Sequence, residues 1–232
     1  IPKVTDPNGI RKHSIFAGSL WIGGMDVGGN LKLAAMTYRQ NGIDFFAGAI
    51  DSVASVSSSG TQAKIAPERC EFYDKIYKVT REEIDLFIKN PLANTTKAIL
   101  EWPGNGNMAY GEEFYMAPYI NQKGGGLEYN PNQGDYPDVK GDQALWFVYN
   151  DIGNIHSETQ GTPIGLQLKT MAFAFTTNDE INNMTFYTTK IINRGFTTLN
   201  NCYMGQWVDP DLGNYSDDYV GCDVARGLGF CY

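Results

Sequence analysis

The sequence predicts a mainly β protein: an antiparallel β-sandwich with long ordered loops and one short helix near 81–89. Aromatic residues form 13% of the chain and 26 residues are glycine, a balance that suits pleated sheet and tight turns better than a helical bundle. Apolar and polar side chains alternate along several runs, which is the period of a half-buried strand. Only one segment carries paired start and stop signals of a helix. The 232 residues suffice for a substantial core, and no internal repeat or composition break divides 1–232, so a single domain is expected.

Ser14–Trp21 and Leu31–Tyr38 read as strands joined through Ile22–Asn30, whose four glycines mark a hairpin. Asn41–Gly60 reads as loop, ending in the serine-rich run Ser55–Ser59. Thr80-Arg-Glu-Glu83 is a capping box, in which the Thr80 hydroxyl accepts from the Glu83 amide and the Glu83 carboxylate reaches back. Ile84, Phe87 and Ile88 follow as an apolar stripe, and Asn90-Pro91 stops the helix. So short a helix is marginal alone in water and is expected to pack on a sheet. Residues 101–141 hold most of the proline and glycine punctuation and read as long loops. Gln143–Asn150, Gly165–Phe175, Met184–Asn193 and Cys202–Val208 are the strongest strands, and 194–201 is expected to return the chain antiparallel between the last two.

A net charge of −8, with no Lys/Arg cluster, argues against a nucleic-acid or anionic-membrane surface. No apolar run approaches the ~18–20 residues of a transmembrane helix, so no membrane insertion is expected. Ile1–Asp6 has neither the charged region nor the apolar core of a signal peptide, and Gly229–Tyr232 carries no stop signal. The chain is therefore expected to be a piece of a longer protein whose leader has been removed. Cys70, Cys202, Cys222 and Cys231 lack CxxC and zinc spacing. They are either buried thiols or one or two disulfides, with Cys202 bridged to Cys222 or Cys231 as the favoured pairing.

No catalytic constellation is legible. The two histidines, His13 and His156, have no serine elbow beside them, and Gly-x-Ser-x-Gly is absent. Glu112 and Glu113 are adjacent, so on a strand they point to opposite faces and are poorly placed to flank one glycosidic bond. Gly104–Asn107 and Gly124–Gly126 lack the following helix and Lys-Ser/Thr of a phosphate loop. Trp21, Trp146 and Trp207 read as core, and Trp102, in Glu101-Trp-Pro-Gly, as the one ring placed to stack on a sugar.

The densest run of side-chain oxygen is Asp209–Asp223, which holds Asp209, Asp211, Asn214, Asp217, Asp218 and Asp223. Two readings stand open. A Ca²⁺ ion, which takes six to eight oxygen ligands at flexible geometry, would offset the crowded charge. The plainer reading is an exposed acidic loop of Asx-turns. The metal is favoured, because Trp207, Tyr219 and Val220 flank the carboxylates.

Several segments resemble one family: Phe16-Ala-Gly-Ser-Leu-Trp-Ile-Gly-Gly24, Tyr38-Arg-Gln40 with Asp44-Phe45, Tyr73–Ile84, Gly134-Asp-Tyr-Pro-Asp-Val-Lys-Gly-Asp-Gln143, Asn182–Tyr187, Ile191–Arg194, and Gln206–Gly213 through Asp217–Asp223. Together they are similar to the N-terminal region of large secreted or surface proteins exported by bacterial type IX secretion. The resemblance implies a location outside the cell and contact with the type IX machinery during export. Relatives carry an Asp-x-Asn-x-Asp-Gly loop before the Gly-Asp-Tyr-Pro motif. Here Asn121–Gly126 lacks those carboxylates, leaving Asp135, Asp138 and Asp142 without an obvious cage. Asp51-Ser-Val53 resembles the O-glycosylation signal of these bacteria, with Ser52 as acceptor.

The expected function is a non-enzymatic extracellular structural or adhesive module stabilised by calcium. The alternatives are an accessory domain of a secreted hydrolase and a carbohydrate-binding module. Surface glycans and further copies of the chain are the expected partners.

Overall fold

A computed structural model describes residues 3–5, 7–51, 56–57, 60–61, 65–122, 128–195 and 198–232. Its main strands are β1 (Ile15–Met25), β2 (Leu31–Ala34), β3 (Phe46–Ala47), β4 (Tyr77–Thr80), β5 (Gln143–Asn150), β6 (Leu166–Ala174), β7 (Phe186–Asn193), β8 (Asn200–Pro210), β9 (Val220–Asp223) and β10 (Leu228–Cys231). Four short helices lie between β3 and β5: α1 (Pro67–Tyr73), α2 (Arg81–Lys89), α3 (Pro91–Asn94) and α4 (Lys97–Leu100). The paired strands are antiparallel throughout, in the β-sandwich-like arrangement expected.

Strand β5 organises the larger sheet. It pairs along its whole length with β6, from Gln143↔Ala174 to Asn150↔Gln167. Its other side is shared, β4 taking Gln143–Trp146 and β3 taking Tyr149 and Asn150. Strand β7 closes the order beyond β6. Alternation on β5 sends Ala144, Trp146 and Val148 to one face, where Tyr73, Ile84, Trp102, Met116 and Val139 cover them. The opposite face carries Tyr149 with Leu166 and Leu168, which meet Leu20, Ile22 and Ala34 of a second sheet. That second sheet has the order β8-β1-β2. Strand β6 is consequently buried on both faces from Leu166 to Ala172.

The capping box at Thr80 forms as read. The Glu83 amide donates to Thr80 Oγ1 at 3.2 Å and the Thr80 amide donates to Glu83 Oε2 at 2.9 Å, a cap worth about 1 kcal/mol. Ile84 and Phe87 bury, whereas Ile88 is 48% exposed, because nine residues present too narrow a stripe to cover it.

Three other expectations are corrected. Strand β1 runs through the expected hairpin as far as Met25, and the turn is the short Asp26–Asn30, where Asp26 Oδ1 accepts from the amides of Gly28 and Asn30. Helices α1, α3 and α4 add to the single helix expected; two of them start with proline at a first-turn position, where a missing N–H costs nothing. The connection after β7 does not return the chain beside it: β8 crosses to the other sheet and pairs with β1 from Tyr203↔Gly23 to Asp209↔Ala17.

Candidate functional site

The outer face of the three-stranded sheet holds an apolar groove. Register places Trp21 opposite Gly205, Gly23 opposite Tyr203 and Leu33 opposite Gly23. Alternation turns this set away from Ile22 and the core. Gly23 and Gly205 carry no side chain, so they floor a groove of about 720 Å³ walled by Trp21, Met25, Leu31, Leu33 and Tyr203, a size typical of small-molecule sites. A ring stack holds one wall still. Trp21 and Trp207 lie parallel at 6.2 Å, Tyr38 meets Trp207 edge-on at 5.6 Å, and Trp21 Nε1 donates to the Met36 carbonyl at 2.8 Å.

The polar end of the groove is Glu158 and Thr159. Thr37 Oγ1 donates to Glu158 Oε1 at 2.8 Å, while Oε2 is buried with no hydrogen-bond partner. Buried Asp44 pins this wall from behind, accepting from the amides of Ala35, Glu158 and Thr159 and from Thr159 Oγ1. Beside it, His156 is 1% exposed, with Nδ1 2.8 Å from the Leu33 carbonyl and Nε2 2.5 Å from the Asp151 carbonyl. Both ring nitrogens face backbone carbonyls, so the ring bridges the Leu33 and Asp151 segments. Asp44 Oδ2 lies 3.6 Å from Nδ1.

Asp151 completes this buried network by accepting from three successive amides, Ile164 at 2.5 Å, Gly165 at 2.9 Å and Leu166 at 2.6 Å. Burial raises its carboxyl above the usual aspartate value, and the three amides pull against that rise. Nothing in the sequence flagged Asp151. Asp44 entered only through the family resemblance, and both carboxylates accept from backbone amides of the wall.

The two adjacent glutamates serve different ion pairs. Glu112, 2% exposed, takes Arg69 through both carboxylate oxygens at 2.5 and 2.8 Å, along with the Tyr73 hydroxyl and the Asn107 amide. Burial, reinforced by that carboxylate, pushes the Tyr73 hydroxyl far above its usual value. Glu113 pairs instead with Lys169 and, at 3.1 Å, with Arg194. Burial opposes ionisation of Glu113, yet the Lys169 hydrogen bond and the two cations bring it below the ordinary glutamate value. The expected divergence of the pair holds.

The Asp209–Asp223 run divides in the fold. Asp209 and Asp211 line a second cleft of about 320 Å³ with Phe16, Tyr38, Pro210 and Tyr215, and Asp211 Oδ1 is buried without a hydrogen-bond partner. The other four groups serve local turns and a hairpin. Asn214 Oδ1 accepts from the Ser216 hydroxyl, the Asp217 amide donates to the Asn214 carbonyl, Asp218 Oδ2 accepts from the Leu212 amide, and Asp223 pairs with Arg226 at 2.6 Å. Among the described residues no three His, Cys, Asp or Glu side chains gather as a metal cage.

Other expected groups are placed as follows. Asp135, 2% exposed, accepts from the amides of Gln122 and Asn130, and Asp142 accepts from that of Thr176; both clip loops. Trp102 is corrected from a sugar platform to core: it is 3% exposed and its Nε1 donates to the Pro118 carbonyl. The disulfide expectation is likewise corrected, since all four cysteines carry free thiols. Cys222 stands opposite Gly229 and Cys231 opposite Val220, so these two are diagonal neighbours. That places their Cα atoms ~7–8 Å apart, beyond the reach of an unstrained bridge. Ser52 lies outside the described residues.

Comparisons with protein-family models, with curated proteins and with solved structures found no match. Among the described residues, no helix is long and apolar enough to cross a membrane.

Proposed function

We propose that the chain is a non-enzymatic extracellular contact module of a protein exported by type IX secretion, and that it works through the outer face of the β8-β1-β2 sheet. The observation that carries this reading is the glycine-floored groove between Trp21 and Tyr203. An apolar concavity of that size left open to solvent is the usual mark of a binding surface. The export route rests on the sequence resemblance alone.

Filling the floor tests it. A Cβ at Gly205 would meet only Trp21 Cβ, at 4.0 Å, so the backbone there admits a side chain and Gly205→Leu directs its apolar branch into the groove. A hydrophobic fluorescent dye, followed by energy transfer from Trp21, should bind the native chain and lose about tenfold affinity, ~1.4 kcal/mol, in the variant. Equal dye affinity at unchanged melting temperature would remove the groove from the reading.

Calcium is proposed as a stabilising ion at the Asp209–Asp211 cleft, where the unpartnered Asp211 oxygen favours it. It would stabilise by binding the folded chain alone. Adding millimolar Ca²⁺ should raise the melting temperature and a chelator should reverse it, with Asp211→Ala insensitive to both. Superimposable melts end the proposal. The same cleft favours a second reading, carbohydrate binding, because Tyr38 and Tyr215 rings stand beside two carboxylates able to accept from sugar hydroxyls. A glycan array without signal disposes of it.

A further inference from the structure

The groove of the three-stranded sheet is charged at one end only. Of the side chains that line it, Glu158 is the single charged one. Its carboxylate accepts one hydrogen bond, from Thr37 Oγ1, and Oε2 is buried without a partner. Each ion pair among the described residues uses a different carboxylate. The donors beside Glu158 are already spent. The amides of Ala35, Glu158 and Thr159 and the Thr159 hydroxyl all donate to Asp44 behind the wall, and the Thr37 hydroxyl donates to Glu158 itself. This end of the groove therefore offers acceptors and negative charge. A carboxylate has room for several donors, and one left short of them costs stability.

We infer that the groove takes a small amphipathic amine, its protonated head donating to Glu158 and its apolar body lying along Trp21, Leu33 and Tyr203. The inference rests on the groove being a binding site and names the class of ligand. Charge and hydrogen bonding select the head. A carboxylate head would bring a second negative charge and no donor, and an alcohol brings one donor and no charge. An ammonium brings three donors and the opposite charge, in an apolar setting where such a bond is strongest. The walls select the body, since every other large side chain along the groove is apolar or aromatic and its volume of about 720 Å³ is that of a small-molecule site. The net charge of −8 draws cations toward the chain and keeps anions away.

Titration calorimetry of the purified chain with octylamine, octanol and octanoate at neutral pH tests it. The three share one apolar body, so that body contributes alike and the head decides. Octylamine is expected to bind at least about tenfold tighter than octanol, ~1.4 kcal/mol, and octanoate weakest of all. Glu158→Gln should bring octylamine down to the octanol level. That variant keeps an acceptor for Thr37, and melting curves will show that it keeps the fold. The diffuse charge of the chain cannot imitate this result, because the substitution leaves nearly all of it in place. Gly205→Leu should weaken the three ligands together. Octanol or octanoate binding as tightly as octylamine overturns the inference while leaving the groove a binding site, and so does an octylamine preference that survives Glu158→Gln or Gly205→Leu. Absence of binding by all three removes the inference and the groove together.

Discussion

Strands β6 and β8 read alike in sequence and live in opposite surroundings. Both are long, antiparallel and rich in apolar side chains. Leu166–Ala172 of β6 is buried on both faces, between the helix-and-loop layer and the second sheet, whereas β8 is exposed along most of its length. A strand's pattern reports that it can be buried, while what covers it is decided by distant segments. The covered strand therefore holds the stability, and the uncovered one is left facing solvent.

The contrast breaks most sharply in a direct comparison of the strands. Leu168→Ala on β6 should cost about 2–5 kcal/mol, because the residue is fully buried. Tyr203→Ala on β8, at a side chain 78% exposed, should stay within about 0.5 kcal/mol. Similar values for the two would erase the distinction between the covered and the uncovered strand.

The buried network beneath the groove wall comes next. His156→Leu removes a buried polar ring that bridges two backbone segments and lies 3.6 Å from Asp44. A loss of about 1–3 kcal/mol is expected in urea unfolding, and an unchanged midpoint would show that the ring does not tie the two segments together.

The smallest effect concerns acid. Glu113 is held below its ordinary value by its cations, so its contribution is present above that value and is lost as pH falls through the depressed folded value. Asp151 runs the other way: its folded value is raised, so its contribution is full below 3.8 and is lost as pH rises through the folded value. Melting temperature followed from neutral pH into acid should fall less in Glu113→Gln than in the native chain, from a lower neutral start. Parallel curves would show that the Lys169 and Arg194 pairs are too well solvated to matter.

Legibility followed the range of the interaction. The Thr80–Glu83 cap lies within one helical turn and was readable residue by residue, as were the alternation on β5 and the existence of β6 as a strand. The groove was not, because Trp21, Gly23, Leu33 and Gly205 come from three strands and only register makes them neighbours. Trp102 misled for a related reason. A Trp-Pro-Gly loop looks exposed until Trp146 and the Pro118 carbonyl are brought against it. How the aspartate run divides was not legible either: Asp209 and Asp211 line one cleft while Asp223 pairs with Arg226.

Composition, alternation and the single capping box were enough by themselves to determine an antiparallel β protein with a helix at 81–89, since those signals act over a few bonds. The crossing of β8 to the second sheet, the double coverage of β6 and the assignment of each carboxylate to a partner were decided only by tertiary structure. Burial and counter-charge are settled by groups more than a hundred residues away, as when Asp44 pins Thr159, and no local pattern encodes that distance.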